Sequence, residues 1–173
     1  MVNNSNRNII LVGLSGSGKS EIGKRIGAIT GKVVYDLDSM IESDQRMAVD
    51  DIIRTSGVDC FRRMEYSMLK KMLQVNDSVI VSGGGTVTCE ASYQILKKMG
   101  TVIWLKAEIQ TLVQRLSTSY SRPLLVSNPK DELVRQSITR SRLYEEADVI
   151  IDTTNLTIEK TVDEILSITK WSW

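Results

Sequence analysis

The chain has 173 residues, of which 42% are hydrophobic and 25% are charged, the composition of an ordinary globular domain. The formal net charge is +1 and histidine is absent, which excludes a broadly basic nucleic-acid surface, a Ser-His-Asp triad and the usual zinc sites. Cys60 and Cys89 form no CxxC pair, so we expect reduced thiols. No apolar run reaches membrane-spanning length and the polar start MVNNSNRN is unlike a signal peptide, so we expect a cytoplasmic protein with no membrane partner.

Short apolar runs alternate with longer segments of helical periodicity along the chain. Predicted strands cover Asn8–Val12, 32–35, 78–81, 101–105 and 149–151. Predicted helices cover Lys19–Thr30, 39–44, 49–55, 59–73, 90–98, 108–117, 130–144 and 157–169. This alternation predicts an α/β fold in which helices cover both faces of a parallel sheet. The polar stretch 118–128, in and next to which both prolines lie, is interpreted as a mobile loop.

The strongest motif matches GxxxxGK[ST] and lies between the first predicted strand and the first predicted helix. It reads Gly13-Leu14-Ser15-Gly16-Ser17-Gly18-Lys19-Ser20. The glycines let backbone N–H groups point at phosphate oxygens, and the helix start adds the positive end of its dipole. Lys19 would contact the β- and γ-phosphates, and Ser20 would ligate Mg²⁺. Because the chain has no NKxD motif for guanine and is short for an energy-coupling ATPase, the motif favours a kinase.

Two carboxylates follow the second predicted strand in the run Asp36-Leu37-Asp38. Strand alternation would put both on one side, at the sheet edge where ligands bind in α/β folds. One would hold the hydration shell of Mg²⁺, and the other would accept a hydrogen bond from an attacking hydroxyl group, since the chain has no histidine to act as base. The same pattern is equally typical of solvated acids, with Asp38 as the N-cap of the next helix.

Three further features are candidates for ligand contacts. The glycine run 83–85 follows a buried strand, which indicates close approach of the backbone to a ligand or, alternatively, a loose turn. Arg122 lies in the polar loop, where a lid arginine would neutralise charge on a transferring phosphoryl group. Arg62 and Arg140 lie on predicted helices, and each taken alone is typical of a solvated surface.

Together these segments resemble the shikimate kinase family over nearly the whole chain. The landmarks GLSGSGKS, DLD, FRRME, SGGGTV, RPLL and RSRLYEE occur in the family's order. The resemblance implies a nucleoside-monophosphate-kinase-like fold with a five-stranded parallel sheet of order 2-3-1-4-5, in one P-loop kinase domain spanning 1–173 with a lid at about 117–129. It also implies ATP-dependent, Mg²⁺-assisted phosphorylation of the 3-hydroxyl of shikimate, on the route to chorismate and the aromatic amino acids, by a protein that we expect to be a monomer.

The resemblance also implies roles for individual residues. The catalytic residues would be Lys19, Asp38 as the base, and Arg122 from the lid. The nucleotide would be bound by Gly16, Ser17, Gly18, Lys19, Ser20, Glu21, Arg115 and Arg122, with Arg115 packing on adenine. Shikimate would be bound by Asp38, Arg62, Gly83, Gly84, Gly85 and Arg140, with the two arginines gripping its carboxylate. Ser20 and Asp36 would hold Mg²⁺.

The chain departs from the family pattern at three places. Glu21 stands where threonine is usual, Arg142 replaces a usual proline, and 152–156 lacks the arginine that packs on the other face of adenine in many members. Two other functions stay open at this point. A gluconate-type sugar-acid kinase has a similar GxSGSGKS loop but fits FRR, GGG and RPLL less well. A non-catalytic nucleotide-binding regulator would be expected to have lost at least one of the catalytic residues.

Overall fold

The computed structural model describes residues 8–117 and 129–169. The strands are β1 (Asn8–Val12), β2 (Val34–Asp36), β3 (Val79–Val81), β4 (Gly100–Lys106) and β5 (Val149–Asp152). The helices are α1 (Lys19–Thr30), α2 (Leu37–Gln45), α3 (Val49–Ser56), α4 (Val58–Lys71), α5 (Glu90–Met99), α6 (Ile109–Ser117), α7 (Pro129–Glu145) and α8 (Ile158–Thr169). A short 3₁₀ helix at Thr86–Thr88 follows the glycine run. In this part of the chain no helix has the length and apolar character needed to cross a membrane.

The strands form one five-stranded sheet of order β2-β3-β1-β4-β5, and every neighbouring pair is parallel. Ile10 of the central strand is in register with Ile80 of β3 and with Val102 of β4. The predicted fold class and strand order are therefore confirmed. Because the strands are parallel, the segments that follow β1, β2 and β3 emerge at the same edge of the sheet, and these segments carry the predicted site residues.

The core lies on both faces of the sheet. Ile10 and Val12 of β1 belong to a buried cluster with residues of α4, α5 and α7, whereas Ile9 and Leu11 belong to a second cluster with residues of α1 and α8. Successive side chains of a strand point to opposite faces, so a central strand with four such residues supplies both clusters. The molecule is thus a three-layer arrangement in which the sheet holds the P-loop rigidly at its carboxyl edge.

The second strand and the following helix meet differently from the prediction. β2 runs to Asp36 and α2 begins at Leu37, so Asp38 lies in the first turn of a helix. Asp36 is the N-cap, and its Oδ1 accepts a hydrogen bond from the backbone N–H of Ser39 at 3.3 Å. The prediction that Asp36 and Asp38 lie on one side of a continuing strand was therefore wrong. The alternative, that Asp38 is the N-cap of the next helix, was wrong as well. The helical turn, not the strand pleat, directs Asp38 towards the sheet edge.

Candidate active site

A cleft of about 400 Å³ opens at the carboxyl edge of the sheet, and we call it the P-loop cleft. Its floor is the loop between β1 and α1 together with Lys19, the first residue of α1. One side is formed by Asp36 and Asp38 after β2 and by Gly84 after β3, and α6 contributes Arg115. Residues from four separate segments of the sequence therefore converge on one cavity, as expected for a ligand site of an α/β fold.

The P-loop adopts the backbone needed to cradle an anion. Gly18, the N-cap of α1, has φ 88°, a left-handed conformation that side chains with a Cβ rarely adopt. Lys19 is buried, and its Nζ donates hydrogen bonds to the backbone oxygens of Gly13 at 2.9 Å and Leu14 at 3.1 Å. The ammonium group is therefore held beside the loop at the start of α1, where the helix dipole also favours a phosphate.

Two oxygen atoms beside the P-loop fit the predicted metal. The Ser20 hydroxyl donates a hydrogen bond to Oδ2 of Asp36 at 2.7 Å, and both residues line the cleft. A hydroxyl and a carboxylate are the hard oxygen ligands that Mg²⁺ prefers, and Mg²⁺ usually completes its shell with water and substrate phosphates. The donor set of Ser20 and Asp36 thus suits a magnesium ion that accompanies a nucleotide.

Asp38 lies against the glycine run beside a second, buried carboxyl group. A Cβ built on Gly83 would lie 2.6 Å from Oδ1 of Asp38 and 2.6 Å from Oε1 of Glu65, so a larger residue there would displace both. Glu65 is fully buried, pairs with Arg62 and accepts a hydrogen bond from the Thr86 hydroxyl. Burial raises the pKa of Glu65, and the positive charge of Arg62 opposes that rise.

The two arginines proposed for the substrate meet at the same glycine run. Nη1 of Arg140, on α7, donates to the backbone oxygen of Gly84 at 2.7 Å. Arg62, on α4, lies so close that a Cβ on Gly85 would be 1.9 Å from its Nη2. Burial lowers the pKa of Arg140, and the nearby charge of Arg62 adds to the effect. The structure therefore places two cations together beside the P-loop cleft.

The α6 side of the cleft carries Arg115. A Cβ on Gly16 would be 3.0 Å from Leu116 of α6, so this helix packs directly on the P-loop. Nη2 of Arg115 donates to the backbone oxygen of Thr153 at 2.6 Å. Glu21 is exposed on α1 and lines the cleft. Residues 118–128 of the predicted lid, with Arg122, lie outside the residues that the structure describes.

Comparison with known proteins identifies the family. The family model described as shikimate kinase matches residues 15–170 of the chain. The chain belongs to the shikimate kinase family. It is 37% identical over 162 residues to the shikimate kinase of Rhizobium meliloti, spanning 93% of this chain and 84% of that one. It is 38% identical over 165 residues to the shikimate kinase of Chromobacterium violaceum, spanning 92% of this chain and 90% of that one.

Solved structures of the family agree with this assignment. The shikimate kinase from Acinetobacter baumannii in complex with shikimate superposes with a TM-score of 0.87 at 29% identity, over 93% of this chain and 91% of that one. The Aquifex aeolicus enzyme gives a TM-score of 0.78 at 26% identity, over 94% and 96%. A gluconokinase from Sinorhizobium meliloti superposes with a TM-score of 0.64 at 17% identity, over 94% of this chain and 91% of that one. At this identity the likeness shows the fold alone. The predicted enzyme class and reaction are confirmed, and the sugar-acid alternative is not favoured.

Several residues of this kinase that shape the site are not among those predicted from the sequence. Glu65 is four residues after Phe61 on the buried face of α4, and an acid at a core position of a helix is a signal that could have been noticed. Tyr144 is four residues after Arg140 on α7, and its hydroxyl also donates to the Gly84 oxygen, at 2.7 Å. Thr86 has no comparable sequence signal. These residues hold the arginines and the glycine run in place.

Tyr144→Phe is expected to raise KM for shikimate about three- to tenfold, the cost of about one hydrogen bond. Burial raises the pKa of Tyr144 to about 12, so at neutral pH the phenol is protonated and donates to Gly84. Steady-state kinetics measures the change, and KM for ATP should stay constant. Tyr93→Phe is the matched control, because the buried Tyr93 hydroxyl makes no hydrogen bond to any described residue. Equal KM values in both variants would contradict a role for the Tyr144 hydroxyl.

Proposed function

We propose that the P-loop cleft performs the family's reaction, transfer of the γ-phosphate of ATP to the 3-hydroxyl of shikimate, through the residues predicted from the sequence. The observation that carries this proposal is the meeting of Arg62 and Arg140 at the glycine run. Two guanidinium groups from different helices, next to a phosphate-binding loop, suit an anionic acceptor that carries a carboxylate.

At the phosphate end, the backbone N–H groups of Gly16, Ser17 and Gly18 bind phosphate oxygens, and Lys19 meets the charge that develops during transfer. Mg²⁺, when bound, neutralises phosphate charge and fixes the phosphate geometry. Ser20 would ligate the ion and Asp36 would hold it through water, roles that their 2.7 Å contact supports. Arg122 would reach the same phosphates from the lid.

At the acceptor end, Asp38 accepts a hydrogen bond from the attacking hydroxyl group and takes its proton as the new P–O bond forms and the bond from the γ-phosphorus to the β,γ-bridging oxygen breaks, which releases ADP. Its position against Gly83, in the lining of the P-loop cleft, supports this role. Arg62 and Arg140 bind the carboxylate, and Gly84 contacts the substrate with its backbone. Glu65 is a positioning residue, because its ion pair with Arg62 aims that guanidinium group at the glycine run.

The reaction is tested by a coupled assay of ADP release, with and without shikimate and with and without Mg²⁺. We expect release to require both. Gluconate is the control acceptor, since it also carries a carboxylate and hydroxyl groups. Release driven by gluconate in preference to shikimate would favour a sugar-acid kinase. ATP binding without acceptor-dependent release would indicate a non-catalytic regulator.

The remaining expectations concern the organisation of the protein. A single P-loop kinase domain over 1–173, a monomeric state and a cytoplasmic location are all consistent with the reaction on small, freely diffusing substrates. Light scattering coupled to size-exclusion chromatography measures the mass in solution. A mass near the chain's 19.4 kDa supports a monomer, and twice that mass contradicts it.

Arg140→Ala is expected to raise KM for shikimate about ten- to a hundredfold, because a hydrogen bond between charged groups contributes about 1.5–3 kcal/mol. Arg62→Ala should have the same effect but also leaves Glu65 buried without its cation, so Arg62→Lys is measured beside it. The matched control is Arg135→Ala, on the same helix as Arg140, where an exposed side chain pairs with Glu132. If KM for shikimate stays flat in the site variants, the carboxylate-binding role is wrong.

A further inference from the structure

Both terminal amino groups of Arg115 donate hydrogen bonds to Thr153. Its Nη2 donates to the backbone oxygen of Thr153 at 2.6 Å, and its Nη1 donates to the Thr153 hydroxyl at 3.2 Å. The hydrogen bonds of a guanidinium group lie in its own plane. The edge that carries Nη1 and Nη2 is therefore turned towards Thr153, and the orientation of the flat face is fixed by that residue.

Thr153 is itself anchored to the end of β4. Its backbone N–H donates to the oxygen of Lys106 at 2.8 Å, and its hydroxyl donates to the same oxygen at 3.0 Å. The residue is 2% exposed, and its own oxygen also accepts from the N–H of Leu156 at 3.3 Å, which closes a tight turn. Thr153 is thus part of the rigid sheet edge, so it holds Arg115 in one orientation rather than following its motion.

We infer that Thr153 is a positioning residue that makes Arg115 a flat platform for the base of the nucleotide, and that this platform accepts bases other than adenine. The inference rests on the proposed use of the P-loop cleft by ATP. A guanidinium plane interacts with the π-face of a base, and every nucleobase has one. Discrimination between bases requires hydrogen bonds to their edges, and here the Nη1–Nη2 edge of Arg115 is engaged by Thr153.

The segment after β5 supports the same conclusion. Residues 152–156 read Asp-Thr-Thr-Asn-Leu, with no arginine or lysine to face the base from this turn. The side chains of Thr154 and Asp152 are hydrogen-bonded to each other within the turn, because the Thr154 hydroxyl donates to Asp152 at 2.6 Å. The turn therefore positions Arg115 and supplies no second cation, so the base is recognised mainly by stacking on one plane.

The positioning role is tested with Thr153→Val, which keeps the side-chain volume and removes the hydroxyl that accepts from Arg115. We expect KM for ATP to rise about three- to tenfold, the effect of one to two net hydrogen bonds, with kcat and KM for shikimate within about twofold. Thr153→Ser should restore the wild-type value. Thr154→Val is the matched control, since its hydroxyl donates to Asp152 in the same turn and accepts from the N–H of Glu108 just before α6, whereas the Thr153 hydroxyl accepts from Arg115. Equal KM values for ATP in Thr153→Val and Thr154→Val, or no rescue by serine, overturn the role.

Base tolerance is tested on the unaltered protein by titration calorimetry with ATP, GTP, CTP and UTP in the presence of Mg²⁺ and the absence of shikimate. We expect all four dissociation constants to fall within about tenfold, or about 1.4 kcal/mol. A preference for ATP above about tenfold over any of the other three nucleotides overturns the inference. Because these measurements need no turnover, a protein that binds all four nucleotides but does not phosphorylate shikimate would refute the proposed function and still support base tolerance.

Discussion

Lys19→Ala is expected to lower kcat by at least about a hundredfold while the protein stays folded, because Lys19 meets charge that develops in the transition state. Lys19 is the first residue of α1, and its ammonium group donates hydrogen bonds to the backbone oxygens of Gly13 and Leu14 in the preceding loop. Removal of the side chain leaves the backbone N–H groups of the loop in place. Nucleotide binding should therefore weaken less than turnover falls.

The measurement is kcat at saturating ATP and shikimate, with circular dichroism and the melting temperature to verify folding. Lys24→Ala is the matched control, because Lys24 is a second lysine of α1 that lines the same cleft but is exposed. Its kcat should change less than about threefold. Turnover close to normal in a folded Lys19→Ala protein would refute the assignment of the P-loop as the phosphate site.

Asp38→Asn is expected to lower kcat about a hundredfold or more at saturating Mg²⁺, since an amide cannot take the proton of the attacking hydroxyl. Asp36→Asn should lower kcat much less than Asp38→Asn at the same saturating Mg²⁺. Asp36 caps α2, and asparagine is as good an N-cap, so the helix start should survive the change. What Asp36→Asn loses is a carboxylate next to Ser20, which weakens Mg²⁺ binding rather than the chemical step.

The two variants are compared by titrating Mg²⁺ at saturating ATP and shikimate. Asp36→Asn should recover most of its activity as Mg²⁺ rises, and Asp38→Asn should not recover at any Mg²⁺ concentration. Glu42→Gln is a suitable control, because its carboxylate on α2 accepts a hydrogen bond from the Val49 N–H and does not line the cleft as far as the described residues show. The reverse order of the two site variants would mean that the roles of Asp36 and Asp38 are exchanged.

Local features of the fold were predictable because they depend on neighbouring residues. β1 and α1 have the predicted bounds, Asn8–Val12 and Lys19–Thr30, since an apolar run, a glycine-rich turn and an amphipathic helix follow one another without interruption. Other boundaries moved by one or two residues. The largest consequence was at Asp36, where the choice between strand pleat and helix cap depends on one side-chain hydrogen bond to Ser39.

The amino-acid sequence alone determined the P-loop, the α/β layout and the set of candidate ligands, because each depends on short-range pattern and residue chemistry. The tertiary structure decided which candidates meet. Arg140 contacts the Gly84 oxygen across a sequence separation of 56 residues, and Arg115 contacts Thr153 across 38. Arg62, taken alone, was typical of a solvated surface, but its partner Glu65 is fully buried against the glycine run. Such contacts are set by the packing of α4, α6 and α7 on the sheet, which no local pattern encodes.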